Sequence, residues 1–195
     1  MDLLEAHRSI LLVIDCQGKL MEMVEHPARL VTVVKRLLNL AGLLEVPVLL
    51  TEQYAKGLGP THPEVRAAFD AAATEKRYLD KTAFGCGGDP GFMALMDGLL
   101  PRTGAARQVV VAGIEAHVCV MQTVLGLLAE GDEVHVAWDA VSGRGEAYVH
   151  HALERMRQAG AVITNHESVG FEWMRDKKHP RFREMSELFK AGQPA

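Results

Sequence analysis

The stretch Gly113-Ile114-Glu115-Ala116-His117-Val118-Cys119-Val120 joins a predicted strand to a predicted helix. The β-branched run 109–111 precedes it and an apolar helical pattern over 121–129 follows it, so Cys119 lies in the first turn of the helix. The unpaired N–H groups at a helix N-terminus carry partial positive charge, which favours a thiolate over a thiol. Cys119 is therefore a candidate nucleophile. The alternative is a small buried apolar residue, which is the commoner environment of a free cysteine.

Apolar runs and helical patterns alternate along the rest of the chain. The predicted strands cover residues 9–14, 47–50, 75–79, 107–112, 133–138 and 161–164. The predicted helices cover 27–44, 64–72, a segment that opens at Asp89-Pro90, the helix after Cys119 that ends at Gly131, 146–159, and two helices in 167–190 around His179-Pro180. Such alternation is typical of parallel strands with helices on both sheet faces. We predict an α/β fold with three α-β-α layers and a six-stranded parallel sheet, in a single domain over 1–195.

Composition narrows the class of protein. The 195 residues are 48% apolar and 24% charged, which is ordinary for a soluble globular protein. The net charge of −4, without a block of basic residues, argues against a nucleic-acid partner. The apolar runs are too short for a membrane span, and Met1-Asp2-Leu3-Leu4-Glu5 lacks the basic region of a signal peptide. Three cysteines give no complete disulfide framework, so a cytoplasmic location is expected.

Parallel sheets bind ligands beyond the carboxyl ends of their strands, so the residues there are the candidates for a site. These residues are 15 and 17, 52–54, 81–84, 115–119 and 139–142. None of the glycine-rich nucleotide motifs, the G-x-S-x-G elbow or the H-E-x-x-H zinc motif occurs. His150 and His151 are adjacent on a predicted helix and point about 100° apart, which does not make a metal face. We expect no cofactor and no metal.

An acid, a cation and a thiol remain at three strand ends, namely Asp15, Lys81 and Cys119. The ammonium and the helix N-terminus are expected to lower the pKa of the thiol, and the carboxylate could take its proton and later return it. Each residue also has a structural interpretation, as a turn cap, a solvated loop lysine and a core cysteine. Their coincidence at one sheet edge favours the catalytic interpretation.

Three ordered motifs resemble those of the isochorismatase-like cysteine hydrolases. They are Val13-Ile14-Asp15-Cys16-Gln17, Asp80-Lys81-Thr82-Ala83-Phe84 and the 113–120 stretch, and the resemblance covers about residues 8 to 170. The stretch Glu115 to Thr123, with the tail Glu167-Ser168-Val169 … Lys178-His179-Pro180-Arg181-Phe182, is most similar to the isochorismatase-domain-containing-protein branch.

This resemblance implies an Asp-Lys-Cys triad at Asp15, Lys81 and Cys119, with Cys119 forming a covalent intermediate that water hydrolyses. It also implies a non-proline cis peptide bond between Ile114 and Glu115, and an oxyanion hole made by the backbone amides of Glu115 and Cys119. The carboxylate of Glu115 is a candidate supporting partner.

Departures from the family pattern bear on the substrate. Nicotinamidase-type members carry a D-x-H metal motif where this chain reads Glu52-Gln53-Tyr54, and His62 nearby stands alone. This argues against bound metal. Since true isochorismatases cleave a vinyl ether and some need no cysteine, the presence of Cys119 favours an amide, ureido or related C–N substrate.

The pocket is predicted from side chains at neighbouring strand ends. Gln17, Gln53, Tyr54 and Phe84 are the expected substrate contacts, since an amide and aromatic rings suit a small planar or amide-bearing molecule. Trp138 fits the pocket and the core equally well. Cys86 is a rival nucleophile without an obvious helix N-terminus, and Cys16 points to the opposite face from Asp15.

Three functions compete. The preferred one is a metal-independent cysteine hydrolase of a small molecule, the second is a binding or assembly protein on the same fold, and the third is a metal-dependent amidase. The family resemblance also implies a homo-oligomer. The size of the pocket depends on loops 55–63 and 85–90.

Overall fold

Six strands form one parallel sheet in the computed structural model, which describes residues 3–102 and 104–190. They are β1 (Ser9–Ile14), β2 (Val48–Gln53), β3 (Lys76–Lys81), β4 (Gln108–Gly113), β5 (Glu133–Val141) and β6 (Val162–Thr164). Their order across the sheet is β3-β2-β1-β4-β5-β6. The predicted α/β fold with a six-stranded parallel sheet is confirmed. The ends of the expected 1–195 domain, including the first two residues of the acidic start, lie outside the described residues.

Helices cover both faces of the sheet. They are α1 (Gly18–Met21), α2 (Pro27–Leu43), α3 (Ala55–Leu58), α4 (Pro63–Ala71), α5 (Phe92–Leu99), α6 (Met121–Ala129), α7 (Glu146–Gln158), α8 (His166–Met174) and α9 (Phe182–Lys190). Helices α2, α4, α8 and α9 pack in one core, and α5, α6 and α7 pack in the other. Short 3-10 turns occupy Ala6–Arg8 and Cys86–Gly88, and a π-helical turn occupies Ala116–Val120.

The continuous apolar run of β1 is explained by burial on both faces. Leu11 and Val13 enter the core under α2, and Ile10, Leu12 and Ile14 enter the core under α6, all without exposure to solvent. A strand that alternates between two cores needs an apolar side chain at every position. Complete burial of such a side chain contributes about 1.5–3 kcal/mol.

The order in which the strands are added to the sheet reverses between β1 and β4, which makes this position the switch point of the sheet. The chain runs from β1 outward through β2 and β3, then crosses back so that β4 pairs with the other side of β1. In parallel sheets the loops after two such strands separate, and the crevice between them is where ligands bind. Asp15 directly follows β1, and Ile114 to Val120 directly follow β4. The candidate acid and the candidate nucleophile thus share the switch point of the sheet.

Three strands run further than their apolar patterns indicate. β2 and β3 pair as far as Gln53 and Lys81, and β5 continues to Val141, which pairs with Gly113 across a register shift. Gln53 and Lys81 are therefore the last residues of their strands. The expectation that they follow the strands is wrong, because backbone pairing with the neighbouring strand continues where the apolar pattern stops.

The start of α5 also differs from the sequence prediction. Asp89 Oδ1 accepts a hydrogen bond from Gly91 N–H at 2.8 Å, and the helix begins at Phe92. Asp89 thus closes a short turn before the helix, and the opening at Asp89-Pro90 is wrong by two to three residues. The sequence pattern did not predict the short helices α1 and α3. Among the described residues, no helix combines the length and apolarity that crossing a bilayer requires.

Candidate active site

Asp15 is the centre of a buried polar cluster at the switch point. It has φ 51°, in the left-handed region, and no exposure to solvent. One carboxylate oxygen, Oδ1, accepts a hydrogen bond from Thr51 Oγ1 at 2.7 Å, and Oδ2 accepts one from Lys81 Nζ, also at 2.7 Å. The carboxylate is thus fixed by the ends of two other strands, and its orientation does not depend on solvent.

Lys81 is fully buried at the end of β3, where nothing but protein surrounds its ammonium. Besides Asp15, the acceptors are Gln53 Oε1 at 2.8 Å, the Phe84 carbonyl at 3.0 Å and the Ala83 carbonyl at 3.2 Å. A lysine has three N–H donors, so these acceptors saturate it. The solvated-loop interpretation of Lys81 is wrong, because the loop after β3 folds back over the ammonium.

The Cys119 side chain lies in the π-helical turn, close enough to this ion pair for the charges of Asp15 and Lys81 to act on its pKa. Burial raises the pKa of the thiol to about 12, the negative charge of Asp15 adds to the increase, and Lys81 opposes it. The sequence-based expectation of a lowered pKa is therefore wrong for the resting protein. The positive charge at a helix N-terminus is a local effect on the pKa of the thiol. Burial, and the pairing of Lys81 with Asp15, outweigh it and make the pKa shift positive.

Backbone amides near the thiol face the crevice. The peptide bond between Ile114 and Glu115 is cis, and the Glu115 carbonyl accepts hydrogen bonds from Val118 and Val120. Within the described part of the chain, the amides of Glu115 and Cys119 donate to no residue outside this turn. The N–H group of Glu115 is therefore available to donate to an acceptor oxygen.

Gln17 and Gln53 hold the floor of the crevice together. Gln17 Nε2 donates to the carbonyls of Gln53 and Gly59 at 3.1 and 2.7 Å, and its Oε1 accepts from Gln53 N–H at 2.6 Å. The Gln53 carboxamide accepts from Lys81 and donates to the Thr82 carbonyl at 2.7 Å. Because these side-chain groups are already paired, the geometry favours a positioning role over direct contact with a substrate.

The predicted aromatic contacts lie at the surface. Tyr54 and Phe84 are 52% and 58% exposed, and Trp138 is 47% exposed, so a core position for Trp138 is wrong. Phe84 also lines a cavity of about 310 Å³ between the glycine loop and α6, together with Thr123. Asp15, Lys81 and Cys119 do not line that cavity, which lies beside the crevice.

The other two cysteines are buried away from solvent. Cys16 lies in the core under α2, on the sheet face opposite to the core that contains Cys119, as alternation predicts. Burial raises the pKa of Cys16 to about 12 and that of Cys86 to about 11. Cys86 packs in the 3-10 turn against α6, and its backbone N–H donates to Thr123 Oγ1 at 2.9 Å. Its position suits a structural thiol better than a nucleophile.

Two groups of side chains bear on metal binding. The Glu52 carboxylate is occupied by Thr61 N–H and Oγ1, at 2.7 and 2.6 Å, and by the Tyr78 hydroxyl at 2.8 Å. On α7, possible ligand atoms of His150, His151 and Glu154 lie within 4.8 Å of one another. Their side chains tilt together, so the expected divergence of the two histidines is wrong. This exposed cluster lies on a helix surface, and we assign it no metal.

Sequence reasoning missed two contributors to the crevice. Thr51, which binds Asp15, is detectable only as a hydroxyl at the end of an otherwise apolar strand. Arg144 follows β5 between Gly143 and Gly145, and its Nε lies 3.2 Å from Glu115 Oε2. Arg144 could have been found in the sequence as a positively charged residue between two glycines, just after a predicted strand.

Comparison with known proteins places this arrangement in a family. Residues 9–168 match the isochorismatase domain. The chain belongs to the isochorismatase family. Human isochorismatase domain-containing protein 2 is 40% identical over 187 residues, which cover 95% of this chain and 85% of the human protein. The predicted similarity to that branch of the family is confirmed.

Solved structures share the fold. MAR1 ribonuclease from Caenorhabditis elegans is 34% identical with a TM-score of 0.89, over 100% of this chain and 95% of that chain. The YcaC gene product from Escherichia coli is described as an octameric hydrolase of unknown specificity. It is 27% identical with a TM-score of 0.84, over 97% of this chain and 90% of that chain. The isochorismatase-like fold is thus a hydrolase fold with differently named members.

Proposed function

We propose that the protein is a metal-independent hydrolase that uses Cys119 as nucleophile on a small amide or ureido-type substrate. The observation that carries this proposal is that the Asp15 carboxylate, paired with the Lys81 ammonium at 2.7 Å, is also close enough to the Cys119 thiol to raise its pKa. A carboxylate in contact with a buried thiol can accept its proton as attack begins. Because burial and the charge of Asp15 raise the pKa of Cys119, the thiol is protonated in the resting protein and has to lose its proton during the attack.

The first half of the reaction forms a thioester. Cys119 Sγ attacks the carbonyl carbon while its proton passes to Asp15, and the carbonyl oxygen becomes an oxyanion. The amides of Glu115 and Cys119 are the donors that would stabilise this oxyanion. As the tetrahedral intermediate collapses, the C–N bond breaks and Asp15 returns the proton to the leaving nitrogen.

The second half uses water. Asp15, again a carboxylate, accepts a proton from water as its oxygen attacks the thioester carbon. Collapse of the second oxyanion breaks the C–S bond, and the proton on Asp15 restores the Cys119 thiol. The sum is one amide and one water converted into a carboxylic acid and an amine, with no change in the protein.

Other side chains in the cluster would hold this geometry without contacting the reacting atoms. Lys81 balances the charge of Asp15, and Thr51 fixes the second carboxylate oxygen. Gln53 fixes Lys81, and Gln17 joins the loops that follow β1 and β2. Tyr54 and Phe84 stay as proposed substrate contacts at the mouth of the crevice.

A small-molecule screen against paired variants tests the proposal. Wild type and Cys119→Ala are incubated with panels of amides, ureides and cellular metabolites, and products are followed by mass spectrometry. We expect at least one product that Cys119→Ala fails to form, and that Cys86→Ala still forms. A product made equally by Cys119→Ala would overturn the assignment of the nucleophile. No turnover by wild type would favour the binding or assembly alternative.

The metal-dependent alternative has a separate test. Glu52, at the position of the family metal motif, is saturated by Thr61 and Tyr78, which supports a mechanism without metal. Activity should be unchanged after dialysis against a strong chelator. Loss of activity that added zinc restores would favour the nicotinamidase-like alternative.

The ribonuclease name of the C. elegans structure raises a second candidate, cleavage of RNA. Proteins that bind RNA through its phosphates usually present clustered lysine and arginine residues, and this chain has a net charge of −4. We therefore rank the amide reaction first. Incubation of wild type and Cys119→Ala with labelled RNA tests the second candidate, which requires cleavage that depends on Cys119.

A further inference from the structure

Arg144 lies at the edge of the crevice, in the loop between β5 and α7. Its Nε lies 3.2 Å from Glu115 Oε2, and the Glu115 side chain is only 9% exposed while that of Arg144 is 49% exposed. Glu115 is also the residue whose backbone amide we place in the oxyanion hole. The carboxylate therefore holds the guanidinium next to the proposed reaction centre with one side open to solvent.

His117 contacts the guanidinium next to Glu115, since its Nε2 also lies 3.6 Å from Glu115 Oε2. Arg144 Nη2 lies 3.4 Å from His117 Nε2, and the His117 ring stacks on Tyr148 with centroids 4.9 Å apart. Burial lowers the pKa of His117 and the charge of Arg144 adds to this, against the opposing effect of Glu115. A neutral His117 accepts at Nε2 from the arginine, since a guanidinium only donates. The ring and Tyr148 thus form a wall beside the cation.

The glycines that flank Arg144 make this approach possible. A Cβ atom on Gly143 would lie 3.0 Å from His117 Nδ1 and 3.3 Å from Val149 Cγ2. The loop therefore packs its backbone directly against His117, which brings Arg144 over the turn that carries Cys119. The Gly143 carbonyl is also fixed, since it accepts a hydrogen bond from Glu25 N–H at 2.9 Å.

Part of the guanidinium remains available for hydrogen bonding. Arginine carries five N–H donors, and the contacts with Glu115 and His117 engage Nε and one N–H of Nη2. Nη1 and the second N–H of Nη2 have no acceptor among the described residues. Lys81, by contrast, is saturated inside the protein. Arg144 can therefore offer two parallel N–H donors to a planar anion, the geometry that suits a carboxylate.

We propose that Arg144 is a specificity-determining residue that binds a carboxylate of the substrate. This inference rests on the proposed amide hydrolysis and narrows its substrate class to small amides or ureides that carry a second, anionic carboxylate group. The scissile carbonyl lies at Cys119, and the carboxylate reaches the open edge of Arg144. Glu115 acts as a positioning residue through its side chain, because it orients the guanidinium.

Matched substrate pairs test the proposal. Malonamate, succinamate and glutaramate are compared with the corresponding diamides, which replace the carboxylate with a neutral amide at each chain length. For the best length we expect wild type to prefer the carboxylate by kcat/KM, and Arg144→Gln to reduce that preference about 10- to 100-fold, mainly through KM. Arg144→Lys should keep part of the preference, since it keeps the charge but not the paired donors. Glu115→Gln should reduce it to an intermediate value.

Arg183→Gln is the control, because Arg183 is a highly exposed arginine on α9 that pairs with Glu187. A preference that Arg144→Gln leaves unchanged, or that Arg183→Gln reduces equally, overturns the proposal. A binding experiment separates failure of the carboxylate-site proposal from failure of the hydrolase proposal. If wild type hydrolyses none of these amides, the same carboxylates are titrated into Cys119→Ala and followed by NMR. Shifts that Arg144→Gln abolishes support the carboxylate site without the hydrolase, and no Arg144-dependent shift overturns it.

Discussion

At the scale of single residues, the proposed reaction depends on whether Asp15 or Cys119 carries the negative charge in the resting protein. Burial and the negative charge of Asp15 raise the pKa of the thiol to about 12, and Lys81 is paired with Asp15, so the thiol rests in its protonated form. Below that pKa the thiolate fraction rises about tenfold per pH unit. Alkylation of Cys119 by iodoacetamide should therefore be slow at pH 7 and rise with pH up to the alkaline limit of protein stability.

Asp15→Asn should reverse this behaviour. The substitution removes the negative charge that raises the pKa of Cys119 and leaves the Lys81 ammonium beside the thiol. We expect alkylation of Cys119 at pH 7.5 to be at least about tenfold faster than in wild type, corresponding to a pKa lower by about one unit or more. Peptide mapping gives the rate at each cysteine, and each rate is compared with that of the same cysteine in unfolded protein, since Asp15 also raises the pKa of Cys16 and Cys86. An unchanged or slower rate at Cys119 would contradict this account of the charges.

The same ion pair should dominate local stability. Removing one partner of a buried pair leaves an uncompensated charge, which costs about 3–5 kcal/mol. Asp15→Asn and Lys81→Met should each lower the free energy of unfolding by about that amount, measured by urea denaturation. The double variant should lose clearly less than the sum of the two losses, since it leaves neither charge alone. Additive losses would mean that the two groups are not coupled as described.

At the scale of elements, the switch point depends on close contact between the ends of β1 and β4. Gly113 has φ +119°, and a Cβ atom there would lie 2.0 Å from the Ile14 carbonyl oxygen. Gly113→Ala should therefore lower the free energy of unfolding by about 3 kcal/mol or more and displace the turn that carries Cys119. Gly98→Ala in α5, where a Cβ atom meets nothing within 4 Å, should instead stabilise by about 0.5–1 kcal/mol. Equal effects of the two substitutions would contradict the packing argument.

Sequence periodicity predicted the elements well because β1, β2 and β4 bury both faces and the longer helices bury one face. It placed Asp15, Lys81 and Cys119 at neighbouring strand ends, and the structure brings these three together. It ended β2 at Leu50, because strand pairing through Thr51 to Gln53 leaves no apolar pattern.

The side-chain environment could not be predicted from local pattern. The pKa of Cys119 depends on burial and on a carboxylate from another strand, and the pairing of Gln17 depends on the loop at Gly59. The role of Arg144 depends on its proximity to Glu115, which lies 29 residues earlier in the chain. Such contacts depend on which strands and loops lie side by side in the sheet, and not on the neighbouring residues in the sequence.

At the scale of the whole molecule, several large apolar side chains remain exposed in one copy of the chain. Those on the described residues are Leu3, Met23, Tyr54, Tyr78, Phe84, Trp138, Tyr148 and Phe171. The octameric E. coli relative supports the proposal of a homo-oligomer, and any of these side chains that form a contiguous patch are candidates for its interface. Light scattering on a sizing column should give a mass that is a multiple of 21.3 kDa at micromolar concentration. A single species of 21.3 kDa, unchanged on concentration, would contradict it.

The central claim is that Cys119 carries the acyl group between the two halves of the reaction. The most direct measurement is the mass of the protein after acid quenching within milliseconds of mixing with a compound that wild type turns over. We predict a mass increase equal to the acyl group, located by peptide mapping at Cys119 and absent from Cys119→Ala. Turnover without any adduct at Cys119, together with full activity of Cys119→Ala, would contradict the account.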